Sequence, residues 1–224
     1  MIDQDGYLTF PIYHGTSTLY RDSIEKHGLG ALRDTSLFDF GVLARLAELL
    51  DAPRNKTDWW QMNDFVVKTM IEQCVSGGGF NFRYGGLYLS SSRQTAQMYA
   101  RSPKGSEFIS HIFLAYEALK SVNPDEASQL LPCEHPLTKL FEKPSRPMLI
   151  TVNRIQAHAL TTEHGNPIDE QLAEMKAIRE KTETHLIDVF WQQRNFAFTG
   201  TLEPQGLTFE ELRPDTRLAI ACVL

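Results

Sequence analysis

Two short stretches hold residues whose types and spacing could do chemistry: "YHGT" at Tyr13–Thr16 and "YGGLYLSSSRQTAQMYA" at Tyr84–Ala100. In the first, His14 ends a strand-like run and can donate a hydrogen bond at neutral pH without carrying a full charge. Gly15 beside it admits close approach to the backbone, because no Cβ stands in the way. In the second, Tyr88 and Tyr99 lie eleven residues apart and offer two flat rings for offset stacking.

Other reactive residue types lack a matching pattern. His111, His135, His158, His164 and His185 show no metal-ligand spacing such as HExxH. Gly77-Gly78-Gly79 has no following Lys-Ser/Thr and reads as a helix stop rather than a phosphate loop. Cys74, Cys133 and Cys222 are odd in number, far apart and without CxxC, so they read as core or incidental thiols of a reducing compartment. Trp59-Trp60 reads as core plus one exposed ring, and Arg93, Arg101 and Lys104 as solvated charges near the two tyrosines.

Periodicity predicts the elements that must position these groups. A strand is expected at 8–14, then a helix at about 18–27 capped by Ser17 or Thr18 and closed by Gly28. Leu37, Phe40, Leu43, Ala44, Ala47 and Leu50 predict a helix over 36–51. A second follows over 57–75, with Trp60, Phe65, Val67 and Ile71 inward. Phe80, Phe82 and Tyr84 alternate as a strand, and Leu87-Tyr88-Leu89 forms another. Ser91-x-x-Gln94 has capping-box spacing for a helix to about 100. Beyond it come a helix at 106–121, a Pro-rich connector at 132–147, the strand "PMLITVNRI" and a charged helix at 168–187. The tail adds the strands "NFAFTGTLE" and "RLAIACVL". This order reads as α+β with a helical insertion at about 31–79 in one domain over 1–224.

The 224 residues are enough to bury a real core, with 42% hydrophobic and 22% charged side chains. A net charge of −6 argues against a broadly basic nucleic-acid coat. The first ten residues, "MIDQDGYLTF", show no basic, apolar leader, and no stretch approaches the roughly 20 apolar residues of a membrane span. A cytoplasmic protein without a membrane partner is expected, with signal-independent delivery into a target cell left open.

The two opening stretches together resemble the ADP-ribosyltransferase superfamily, in its histidine-tyrosine branch of diphtheria-like toxins and poly(ADP-ribose) polymerases. The match rests on His14-Gly15-Thr16, on Gly86-Leu87-Tyr88-Leu89 with the serines behind it, and on Tyr99. The resemblance implies a split β-sheet core and NAD as co-substrate, with no metal. It implies that His14 bonds a ribose hydroxyl of NAD and that the Gly15 backbone holds the nicotinamide amide. Tyr88 and Tyr99 would sandwich the nicotinamide ring, with Thr16 and Ser90 completing the NAD site.

The family's third motif is a glutamate that starts a late strand and stabilises the cationic sugar as nicotinamide leaves. In this sequence the matching position is Asn195, or Glu203 in a different register. Gln193 falls where arginine- and guanine-modifying relatives carry Gln or Glu, and would face the acceptor. The function implied is mono-ADP-ribosyl transfer, a glycosyltransferase reaction of the bacterial or phage toxin or effector kind. Its partners would be NAD, a protein or nucleic-acid acceptor, and an antitoxin or immunity protein. A second reading is a catalytically silent NAD-binding or interaction module. An RNA 2′-phosphotransferase ranks below both, since no arginine sits beside His14 or Tyr88.

Overall fold

A computed structural model describes residues 1–31, 37, 39–72 and 87–213. The expected strand at Phe80–Tyr84, the Gly77-Gly78-Gly79 stop, Cys74, Cys222 and the strand "RLAIACVL" lie outside these residues. In chain order the elements are β1 (Ile12–Ser17), α1 (Arg21–His27), α2 (Phe40–Asp51), α3 (Asp58–Glu72), β2 (Leu87–Ser90), α4 (Arg93–Ala100) and α5 (Glu107–Val122). There follow α6 (Pro124–Leu130), α7 (Pro136–Glu142), β3 (Pro147–Val152), β4 (Leu160–Thr162), α8 (Asp169–Lys181), α9 (Ile187–Phe190), β5 (Asn195–Phe198) and β6 (Leu207–Glu211). The class is α+β. No helix among the described residues is long and apolar enough to cross a membrane.

The six strands among the described residues join one antiparallel sheet of order β4-β5-β2-β1-β3-β6. Its seams are unequal. Six residue pairs join β1 to β3, from Ile12↔Val152 to Ser17↔Pro147, and four join β2 to β5, from Leu87↔Phe198 to Ser90↔Asn195. Between β1 and β2 the register has, among the described residues, the single pair Tyr13↔Ser90. The sheet is therefore two triplets, β4-β5-β2 and β1-β3-β6, that part beyond one shared rung.

Contacts divide the chain into two compact units, one of Met1–Arg33, Gly85–Gly105 and Arg146–Leu212, the other of Asp34–Tyr84, Ser106–Ser145 and Arg213–Leu224. The first carries the sheet. Side chains alternate across each strand, so Ile12, Leu89, Ile150 and Phe196 face one core with Met175 and Trp191. Leu149 faces the other way, against Ala96 and Ala100 of α4. The second unit is helical. Its α2 buries Val42, Leu43, Leu46, Ala47 and Leu50, with Asp39 accepting from Val42 N at 3.1 Å as its cap.

Several local expectations are corrected. Phe65 is 69% exposed rather than inward, since it stands about 140° around the helix from buried Trp60. The connector at 132–147 contains α7, because Pro136 sits at the first helical position, where a missing N–H costs nothing. The charged helix stops at Lys181, and a 3-10 turn at Thr184–Leu186 leads into α9. The first helix begins as a 3-10 turn at Thr18–Tyr20, with Ser17 Oγ accepting from Leu19 N. β4 and β6 are too short or too polar to stand out in the sequence, and pairing with neighbours defines them.

Candidate functional site

The parting of β1 and β2 begins at the histidine. One residue past the Tyr13↔Ser90 rung, His14 places Nδ1 at 2.9 Å from the Tyr88 carbonyl oxygen, so a side chain replaces the next rung. A carbonyl only accepts, so Nδ1 carries the proton and Nε2 is left with a lone pair. Burial holds the imidazole below the 6.5 usual for histidine, and the bond to Tyr88 pulls more weakly the other way. His14 is thus neutral at pH 7. Its second nitrogen is therefore an acceptor rather than the donor expected from the sequence.

Gly15 has a packing reason to be glycine. A Cβ there would stand 1.8 Å from the Ala96 carbonyl oxygen and 2.6 Å from Ala100 N. Helix α4 therefore crosses β1 at backbone contact, and small Ala96 and Ala100 make the approach possible. Tyr99 rides on that helix between the two alanines and is 48% exposed. Thr16 is buried and donates its hydroxyl to Gly105 O at 3.3 Å.

The three serines after Tyr88 build the turn into α4. Ser90 Oγ accepts from Ser92 N, and Ser92 Oγ caps the helix by accepting from Thr95 N, both at 3.2 Å. The cap is Ser92 and not Ser91, because Ser91 donates its hydroxyl to Arg194 O at 2.7 Å. Asp188, which has no signature in the sequence, completes the helix start: its carboxylate accepts from Arg93 N at 2.6 Å and Gln94 N at 3.1 Å. Anions are favoured at a helix N-terminus, where backbone N–H groups have no helical partner.

These contacts tie the segment before β5 to the β2–α4 turn. Thr95 Oγ1 donates to Gln192 O at 3.0 Å, and Gln192 Nε2 to Gln94 Oε1 at 2.8 Å. Arg194 pairs with Glu174 at 2.9 Å. Gln193 stands exposed between two anchored neighbours. Asn195 then opens β5 opposite Ser90, with Gln171 Nε2 donating to its carbonyl at 3.2 Å. Its Nδ2 donates to Glu163 Oε2 at 3.0 Å, and its buried Oδ1 has no partner among the described residues. Glu203 lies exposed past the opposite end of β5, where Leu202 bridges to Leu29.

The geometry thus joins His14 to Tyr88 by a hydrogen bond, and Ser90 to Asn195 by register. Tyr99 comes onto β1 through α4, and Glu203 stays apart. A separate cavity of about 480 Å³ lies nearby, lined by Phe10, Tyr13, Ser91, Asp188 and Trp191 among others. Burial and then Asp188 push the Tyr13 phenol up, with Arg93 opposing. Sequence reading missed Asp188 and Glu163, whose partners lie 95 and 32 residues away and leave no local spacing to read. Among the described residues, no group of three or more His, Cys, Asp or Glu could hold a metal ion. Compared with known proteins, the chain matches no family model, no curated protein and no solved structure.

Proposed function

We propose that the chain is an NAD-dependent mono-ADP-ribosyltransferase of the ADP-ribosyltransferase superfamily, acting on a macromolecular acceptor as a toxin or effector. The observation that carries this reading is the opened β1/β2 seam, with neutral His14 bonded across it to the Tyr88 backbone. A split sheet is what the resemblance implies, and Asn195 opening a late strand opposite Ser90 fits the place of the third motif. The groups also suit NAD. Nε2 of His14 and Oδ1 of Asn195 are acceptors for ribose hydroxyls, and the rings of Tyr88 and Tyr99 suit nicotinamide stacking.

In the proposed reaction the C1′–N bond to nicotinamide breaks, and both its electrons go to the ring nitrogen, which leaves neutral. The positive charge on C1′ and the ribose ring oxygen is then quenched by a lone pair of the acceptor, whose proton passes to solvent. Groups fixed in place before the reaction stabilise such a charge without reorganising. Chain elongation is disfavoured, since Asn195 cannot deprotonate an incoming ribose hydroxyl. The same residue favours one alternative, a silent NAD-binding module.

Nicotinamide release from labelled NAD, with cell extract supplying acceptor, tests the reading. Wild type should release nicotinamide, and His14→Ala and Tyr88→Ala should each lose about 10²–10³-fold in rate. Nuclease or protease digestion of the labelled product then names the acceptor class. NAD bound without release by wild type would move the assignment to the silent module. No binding would end the reading.

A further inference from the structure

At Asn195 the proposed reaction calls for negative charge, and an amide carries none. A carboxylate stands beside it. Register pairs Leu160↔Phe198, Thr161↔Ala197 and Thr162↔Phe196 run down the β4–β5 seam, and the next position opposite Asn195 is Glu163. There Asn195 Nδ2 donates to Glu163 Oε2 at 3.0 Å. The glutamate is held by the turn that follows it. Asn166 N donates to Thr162 Oγ1 at 3.0 Å, Thr162 N to Asn166 O at 2.8 Å, and Gly165 takes a φ of +86°.

This bond fixes the amide, because turning it over would set two acceptor oxygens against each other. Oδ1 is thereby directed away from Glu163, and it is buried without a donor among the described residues. A buried acceptor left unmet by the protein is a place for a ligand hydroxyl. The backbone of Asn195 is fixed as well, through Gln171 and the rung to Ser90.

We propose that Glu163 and Asn195 act as one carboxylate–amide couple that takes the place of a strand-borne glutamate in NAD cleavage. Asn195 Oδ1 accepts a ribose hydroxyl of NAD, so Asn195 is the residue that touches substrate. Glu163 is a positioning residue: it orients the amide and, through the Nδ2–H bond, polarises it so that Oδ1 gains negative charge. As the C1′–N bond breaks and its electron pair leaves with nicotinamide, that charge faces the growing cation. No proton moves between Glu163 and Asn195. The inference rests on the transferase reading above.

The test compares steady-state nicotinamide release by the full chain with Glu163→Gln, Glu163→Asp, and the double exchange Glu163→Gln/Asn195→Glu. Glu163→Gln should lower kcat about 10- to 100-fold while the KM for NAD changes less than about threefold. Glu163→Asp should recover part of the loss. The double exchange returns a carboxylate to the strand with an amide donating to it, and should restore kcat to within about tenfold of wild type. Wild-type kcat in Glu163→Gln would sink the couple and leave the transferase reading standing. A loss in Glu163→Gln that neither the aspartate nor the double exchange recovers, together with a lowered urea midpoint, would make Glu163 structural and overturn it too. No release or NAD binding by wild type would remove both.

Discussion

Burial lowers the pKa of the His14 imidazole, and the hydrogen bond to the Tyr88 carbonyl only partly offsets it. In the unfolded chain the group returns to the 6.5 usual for histidine. As pH falls past that value, the unfolded chain takes up a proton that the folded chain refuses. The stabilisation is thus present above the unfolded pKa and is lost as pH falls through the folded one. Urea midpoints should be level above about pH 7 and decline toward about pH 5. In His14→Gln the decline should be shallower. His111 is shifted the same way by burial and acts in both proteins, so the difference between the two curves isolates His14. Equal slopes would mean that His14 titrates alike in both states. At this scale the residue types were readable in advance, but not their directions. That His14 offers an acceptor follows from where its other nitrogen is spent, on a carbonyl 74 residues away.

The short helix α4 shows how an element depends on distant chain. Eight residues make a marginal helix on their own, since nucleation costs several fixed dihedrals before hydrogen bonds repay them. Ser92 supplies a local cap, and Asp188 adds two charge-assisted bonds to Arg93 N and Gln94 N. Asp188→Ala should lower stability by about 0.5–2 kcal/mol in urea unfolding, and Asp188→Asn should recover part of it. A change within error for Asp188→Ala would show that Ser92 and the packing of Ala96 and Ala100 on Gly15 suffice. The helix itself was legible as a serine-started pattern. Its cap was displaced by one residue because Ser91 is claimed by Arg194 O, a tertiary competition that spacing rules cannot register.

For the whole molecule, the proposed site draws its residues from one of the two units, although their segments alternate along the chain. His14, Tyr88, Tyr99, Glu163 and Asn195 all belong to the first unit. The second has its own buried polar hub at Asn55, which is 1% exposed. Asn55 Nδ2 donates to Leu49 O and Glu126 Oε2, both at 3.0 Å, and Asn123 Nδ2 to Glu126 Oε2 at 2.7 Å. Asn55→Ala removes the two bonds it donates and the acceptor of Asn123 Nδ2 from a buried position, and should cost about 1–3 kcal/mol by urea unfolding. At a temperature where that variant is folded, nicotinamide release at saturating NAD should stay within about twofold of wild type. A larger fall in kcat would assign the second unit a part in the chemistry.

Local pattern was sufficient for the α+β class, for the long amphipathic helices and for the "HGT" and Tyr88 stretches, because each depends on neighbours within a turn or a pleat. The edge strands β4 and β6, the parting of β1 from β2 and the Asp188 cap came from pairings between remote segments. So did the carboxylate at Asn195. A strand of three residues such as β4 has too little pattern to announce itself. Yet once paired in register it carries Glu163 to Asn195, because an antiparallel ladder transmits position from rung to rung.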